Sequence, residues 1–177
     1  MHNVEYKAEL RDPVLARSIC HAVGATHIIT LEQTDTYFRV PHGRLKKREA
    51  PGEPTEYIFY DRANRSAPKL SHFSIYTETM AQERFGASPL PVWVVVKKTR
   101  EVYLLGGVRI HLDAVEGLGR FLEFEALVSP SQNVAVCHAV VADLRQRFAP
   151  VLGEAISGGY SDMIAAEAGT PETGPRA

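Results

Sequence analysis

The chain has 177 residues, of which 45% are hydrophobic and 23% charged, a balance that supports a buried core and excludes global disorder. Its net charge of −1 excludes the overall basic field of a nucleic-acid binder, so any phosphate chemistry must come from a local cluster of charge. No apolar run approaches the roughly 18 residues of a membrane span, and the N-terminus MHNVEYKAEL lacks the apolar stretch of a signal peptide.

Cys20 and Cys137 show no metal or redox spacing and read as buried free thiols of a cytoplasmic protein. The length fits one domain over residues 1–168, with the Gly/Pro-rich end GTPETGPRA as a disordered tail over 169–177.

In chain order, Val4 to Leu10 alternates as a strand, with Val4, Tyr6, Ala8 and Leu10 on one face and Glu5, Lys7 and Glu9 on the other. Asp12 as N-cap and Pro13 at the first helical position start a helix that Gly24 stops. His27 to Leu31 and Thr34 to Val40 read as two short strands, and PHG turns the chain at 41–43. Leu45 to Glu49, Glu56 to Arg62 and His72 to Tyr76 are further strands. Thr77 to Phe85 looks helical, and Val92 to Leu105 is one long bent strand or a strand with a hairpin arm. VRIHLDAVEGLGRFLEFEA, from Val108 to Ala126, holds two strands around an AVEGLG turn, whose glycines Gly117 and Gly119 precede no helix and so form no phosphate loop. Ser131 to Phe148 is an amphipathic helix carrying Val136, Val140, Val141, Leu144 and Phe148, and a short helix starts near Ser161. The count of about eight strands and three or four helices, with mostly short joints, predicts an α+β fold with an antiparallel sheet.

Ionisable residues sit at period two on several strands. Arg109, His111 and Asp113 share one side, as do Glu123 with Glu125, Lys46 with Arg48, Lys98 with Arg100, and Tyr37 with Arg39. An ordinary wet sheet face mixes charges with Thr, Ser and Gln. Here three strands give mainly cations and two give mainly anions, Glu5 with Glu9 and Glu123 with Glu125. Closing such a sheet into a barrel turns the charged face inward and leaves the apolar face to be covered by helices. That arrangement is costly unless the charges are paired, hydrated or occupied by a charged ligand. A polyanion with a divalent metal meets the requirement: Arg and Lys hold phosphoryl oxygens, and carboxylates hold Mg²⁺ or Mn²⁺.

The stretches VEYKAEL, QTDTYFRVPHGRLKKRE, VKKTREVYL, VRIHLDAVEGLGRFLEFEA and GGYSDM, in this order, resemble the CYTH superfamily of triphosphate tunnel metalloenzymes, over about Asn3 to Asp162. Within it the chain is most similar to the class IV adenylate cyclase-like and thiamine triphosphatase-like proteins. The resemblance implies a closed eight-stranded antiparallel β-barrel, a triphosphate tunnel with a charged interior and helices packed outside. The family signature Glu-x-Glu-x-Lys falls on Asn3, Glu5 and Lys7, so the first acid is replaced, and Glu9 offers another inward acid. The family's phosphate ligands fall on Lys46, Arg48, Lys98, Arg100 and Arg109, with Arg62 a looser match. Its metal ligands fall on Glu5, Asp113, Glu123 and Glu125; Asp113 has the alternative of holding Arg109 or His111 in place. Lys7 is read as a phosphate contact or a catalytic proton-transfer group. His111 reads equally as a structural hydrogen-bonding group, and the other six histidines show no metal-ligand spacing. Arg44 and Lys47 are expected to face solvent.

The function expected is a Mg²⁺- or Mn²⁺-dependent cytoplasmic enzyme acting on a triphosphate. It is either an adenylate cyclase, giving cyclic AMP and pyrophosphate from ATP, or a hydrolase of tripolyphosphate, thiamine triphosphate or a nucleotide. The alternative is a polyphosphate- or nucleotide-binding module without catalysis, motivated by Asn3. No nucleic acid or membrane is expected as a partner. Members of the family are often dimers, so a homodimer stands as one outcome for an oligomeric state that the residues leave open.

Overall fold

The computed structural model describes residues 1–169. Residues 170–177, all but the first residue of the expected tail, lie outside the described residues. The strands are β1 (His2–Leu10), β2 (Thr26–Phe38), β3 (Arg44–Glu49), β4 (Glu56–Asp61), β5 (Lys69–Tyr76), β6 (Val92–Leu105), β7 (Val108–Val115), β8 (Gly119–Leu127) and β9 (Leu152–Ala155). The helices are α1 (Pro13–Ala22), α2 (Glu78–Phe85), α3 (Val134–Arg147) and α4 (Tyr160–Glu167).

The strand order is β5-β4-β3-β2-β6-β7-β8-β1, and β1 pairs back onto β5, which closes an antiparallel barrel of eight strands. β1 is long enough to serve two neighbours on one edge. Its first half pairs with β5 (Val4 opposite Leu70), and its second half pairs with β9 (Ala8 opposite Ala155). The four-residue β9 was missed in the sequence. The two short strands expected over 27–40 are one strand, β2, with a register shift between His27 and Ile29 against β6. Glu32 and Gln33 do not break it, because they continue the ladder opposite Thr99 and Lys98.

Local signals set the helix starts. The Asp12 carboxylate accepts from the Leu15 N–H at 3.0 Å, with Pro13 opening α1, and Thr77 caps α2 in the same way. α3 begins later than the sequence suggested because Asn133 is its cap, accepting from the Val136 N–H at 2.9 Å.

The apolar faces of β1, β7 and β8 point outward under α1 and α3. Val4, Tyr6 and Ala8 join Val108, Ile110 and Leu112, and Leu122, Phe124 and Ala126. They pack against Ala16, Cys20, Cys137, Val141, Leu144 and Phe148. Both cysteines are free and buried. Each such large apolar side chain, fully buried, contributes about 1.5–3 kcal/mol. A second cluster lies at one end of the barrel, where α4 packs Tyr160 and Ala165 onto Tyr37, Val94, Val96, Val115 and Phe121. The core therefore lies outside β1, β7 and β8 on one side of the barrel and caps one end, and the charged face lines the inside. Among the described residues no helix is long and apolar enough to cross a membrane.

Candidate active site

Strand register builds the interior. On β8, Glu123 and Glu125 point the same way because they are two apart. β7 sets His111 opposite Glu123 and Arg109 opposite Glu125. β1 sets Lys7 opposite Glu123 and Glu5 opposite Glu125. Two carboxylates thus face each other across β1 and β8, a pairing that destabilises a bare sheet.

The field around this cluster is uneven. Burial alone would raise Glu123, but the Lys7 ammonium at 3.5 Å, with Arg100 at 3.7 Å, holds it well below the usual carboxylate range. Glu125 is pushed well above that range by burial and then by the negative charges of Glu123 and Glu5. Glu5 accepts from the Arg62 guanidinium, which stands just past the end of β4. Lys7 is held below its usual value by burial, against the pull of Glu123, and its ammonium lies 3.7 Å from the centre of the Tyr160 ring.

A second layer centres on Asp35, which is fully buried. It takes two hydrogen bonds from Arg48, at 2.8 and 2.7 Å, and one each from Lys46 at 3.0 Å and Lys98 at 2.9 Å. Burial opposes ionisation here too, yet Arg48, Lys46 and Lys98 together hold the carboxyl well below its ordinary value. Lys98 is pushed down by burial and by its cationic neighbours against the attraction of Asp35.

A third cluster ties the barrel to α4. Arg100 donates twice to Asp113, at 2.8 and 2.7 Å, and the Tyr160 hydroxyl donates to the same carboxylate at 2.6 Å. Asp162 accepts from the Gly159 N–H at 2.8 Å and from Arg44 at 2.7 Å, fixing the start of α4 over the tunnel. Replacing Tyr160 by Phe keeps the ring and removes one bond to a charged acceptor. The expected loss is about 1.5–3 kcal/mol, read as a lower denaturant midpoint at unchanged slope.

One cavity of about 170 Å³ collects Lys7, Lys46, Arg48, Arg62, Lys98, Arg100 and Arg109 with Glu5, Glu123 and Glu125. Glu56 is its remaining acid, so seven basic side chains face four acidic ones and the lining carries excess positive charge. Asp113, expected either as a ligand or as a group that holds Arg109 or His111, accepts two hydrogen bonds from Arg100 and one from Tyr160. Arg109 is exposed at the mouth. There the cavity meets a vestibule of about 370 Å³ that shares Arg48, Glu56, Arg100, Arg109 and Glu125 as walls. Ile28, Ile29, Leu31, Val102 and Leu104 make its far side apolar.

Several expectations are corrected. Arg44 does not face solvent: it is buried, paired with Asp162 and 5.1 Å from the centre of the Trp93 ring. Period two already set it on the side of Lys46. Lys47 does point away, 3.6 Å from Glu49. Glu9 is exposed and accepts from the Glu154 N–H, so it is not an inward acid. Arg39 lies one residue past the end of β2 and is not among the residues that line the cavity with Tyr37. Asn3 is buried between Ser71 and Leu127, and its Oδ1 has no hydrogen-bond partner. Sequence reasoning missed Asp35, Tyr60 and the buried Lys69, which donates to the carbonyls of Arg65 and Ser157. It could have found Asp35, two residues before Tyr37 on the same strand face.

A divalent cation fits the acidic wall. One ligand atom each from His111, Glu123 and Glu125 lies within 4.8 Å of the others, and the carboxyl pair carries mutual repulsion that a cation would relieve.

Residues 1–143 match the CYTH domain family. No curated protein matches the chain. Among solved structures, the PH1012 protein of Pyrococcus horikoshii OT3 is 21% identical, with a TM-score of 0.69 over 89% of this chain and 98% of its own. A candidate adenylate cyclase from Vibrio parahaemolyticus is 19% identical, with a TM-score of 0.72 over 93% and 98%. HpAC1 of Hippeastrum, described as an adenylyl cyclase candidate with a dominant triphosphatase activity, is 15% identical, with a TM-score of 0.60 over 96% and 97%. These likenesses are of fold. With its closed barrel, its inward charge and a family match over residues 1–143, the chain belongs to the CYTH domain family.

Proposed function

We infer that the protein is a divalent-metal-dependent enzyme that hydrolyses a triphosphate. The observation that carries this reading is the single cavity with seven basic side chains around an acidic wall. Arg48 and Arg100 each spend Nε and Nη2 on a carboxylate, which leaves Nη1 of both guanidinium groups to hold phosphoryl oxygens. Lys46, Arg62, Lys98 and Arg109 complete the clamp. Glu5, Glu123 and Glu125 would hold Mg²⁺ or Mn²⁺, which when bound neutralises charge on the phosphoryl oxygens as the bond breaks. Asp113 serves in this reading as a positioning residue that fixes Arg100. Lys7, its ammonium destabilised by burial, holds a proton at Nζ for the departing oxygen. The cavity lies below the roughly 300 Å³ typical of pockets that enclose whole drug-sized ligands, so it suits the phosphate chain alone. The buried free thiols suit a reducing compartment, and we infer a cytoplasmic setting.

A second reading, cyclisation of ATP, draws support from the vestibule. Its 370 Å³ falls in the range that holds an organic group, and it opens directly onto the phosphate clamp. HpAC1, which shares the fold, joins a cyclase description to a dominant triphosphatase activity.

The test is incubation with Mg²⁺ or Mn²⁺ and, separately, tripolyphosphate, thiamine triphosphate and ATP, with products resolved and Glu123→Gln as control. Orthophosphate lost on Glu123→Gln is the expected result. Cyclic AMP with pyrophosphate would select the second reading. Tight binding of all three without turnover would leave a binding module.

A further inference from the structure

His111 has no role in the reading above, yet it occupies a telling position. It is 4% exposed, its Nδ1 is buried with no hydrogen-bond partner, and a Glu123 oxygen stands 3.8 Å away. That distance is too long for a hydrogen bond. An unpartnered buried imidazole nitrogen costs stability and calls for an explanation. The β7–β8 register sets His111 directly across from Glu123, and a ligand atom of His111 lies within 4.8 Å of ligand atoms of both Glu123 and Glu125. The residue also walls the vestibule, so an ion entering by the open mouth reaches it.

We propose that His111 is the nitrogen ligand of a metal site completed by Glu123 and Glu125, and that it turns this site toward a first-row transition ion and away from Mg²⁺. The chemistry is that of the donor set. Mg²⁺ takes oxygen ligands in a strict octahedron and keeps its waters, whereas imidazole suits transition ions. Mn²⁺ accepts both carboxylate and imidazole, and affinity for nitrogen-containing sites rises further along the row. A wall of carboxylates alone would accept Mg²⁺ and Mn²⁺ on similar terms. The orphan nitrogen beside the pair breaks that balance.

The proposal rests on the metal-dependent reading of this cavity but is tested without turnover. Mn²⁺ is titrated into the metal-free protein and followed by electron paramagnetic resonance, with Mg²⁺ as competitor. Pulsed spectra are recorded on protein carrying ordinary or isotopically labelled histidine. The expected result is a histidine nitrogen coupling to bound Mn²⁺, and Mn²⁺ held at least about tenfold more tightly than Mg²⁺. His111→Gln removes the coupling and lowers Mn²⁺ affinity on the order of ten- to a hundredfold, with Mg²⁺ affinity changed by less than about threefold. Bound Mn²⁺ without nitrogen coupling in the unmutated protein overturns the proposal, and needs no variant to fold. Equal loss of both metals in His111→Gln also overturns it. Nitrogen coupling with no triphosphate turned over would sink the functional reading and leave the metal site standing. Turnover in Mg²⁺ without nitrogen coupling would do the reverse.

Discussion

Asp35→Asn lowers the stability of the free protein by about 3–5 kcal/mol, the cost of removing one partner from a buried ion cluster. For a chain of this size that is a fall in melting temperature of about 10 °C. The side chain keeps its volume, so no cavity is opened. What changes is charge: Arg48, Lys46 and Lys98 converge within 3.0 Å on an amide in place of a carboxylate. Mutual repulsion among three buried cations is then unopposed. The pH dependence follows from the same cause. The Asp35 carboxyl is held well below its ordinary value of 3.8, so its stabilisation is present in full above that pH and drains away as pH falls below it. Wild type and variant therefore converge in stability in strong acid and differ most near neutrality. Tripolyphosphate supplies the missing negative charge, so it raises the melting temperature of Asp35→Asn more than that of the wild type. Equal shifts in the two proteins would mean that these cations do not meet the ligand.

The contrast between what the sequence disclosed and what it hid has a physical basis. Alternation is local, so β1, β7 and β8 and the sidedness of Glu5, Lys7, Glu123 and Glu125 were visible in single stretches of chain. Partnership is not local. That Asp35 lies opposite Arg48 depends on the β2–β3 register, and its contact with Lys98 on the neighbouring β6, 63 residues further along the chain. The period that carries Tyr37 inward also carries Asp35, but an acid among cationic strands does not announce three partners. Arg44 was misjudged for a related reason. Its period matches Lys46, but its burial depends on Asp162, 118 residues away on α4. β9 escaped because LGEA is too short to show alternation, and it forms only because β1 outruns β5 and leaves an open edge. His111 read equally as a structural hydrogen-bonding group in the sequence because Glu123 and Glu125 lie on the next strand, at positions only the hairpin register brings across.

The acidic wall ought to trade stability for chemistry, and Glu125→Gln isolates the exchange. In metal-free protein Glu125 sits opposite Glu5 and beside Glu123, and its carboxyl is pushed well above 4.5 by burial and by those charges. The sign of the linkage is then the reverse of that for Asp35. An acid whose folded value is raised loses nothing below its unfolded value and costs stability increasingly as pH rises through and beyond it. Glutamine has nearly the same shape and cannot ionise, so it removes that cost. Glu125→Gln is expected to be more stable than wild type near neutral pH in chelator, by about 1 kcal/mol, with the gain shrinking as pH falls toward 4.5. Its turnover of the best triphosphate should fall about a thousandfold, roughly 4 kcal/mol of transition-state stabilisation, because the site has lost one of its anionic donors. Added Mn²⁺ should stabilise wild type and fail to stabilise the variant to the same degree. Thermal melts with and without chelator across pH, beside turnover measured in parallel, read all three effects. A variant that loses activity together with stability would place Glu125 among the structural ion pairs. A variant that gains stability while losing activity would mark the crowding of Glu5, Glu123 and Glu125 as strain held for the cation they share.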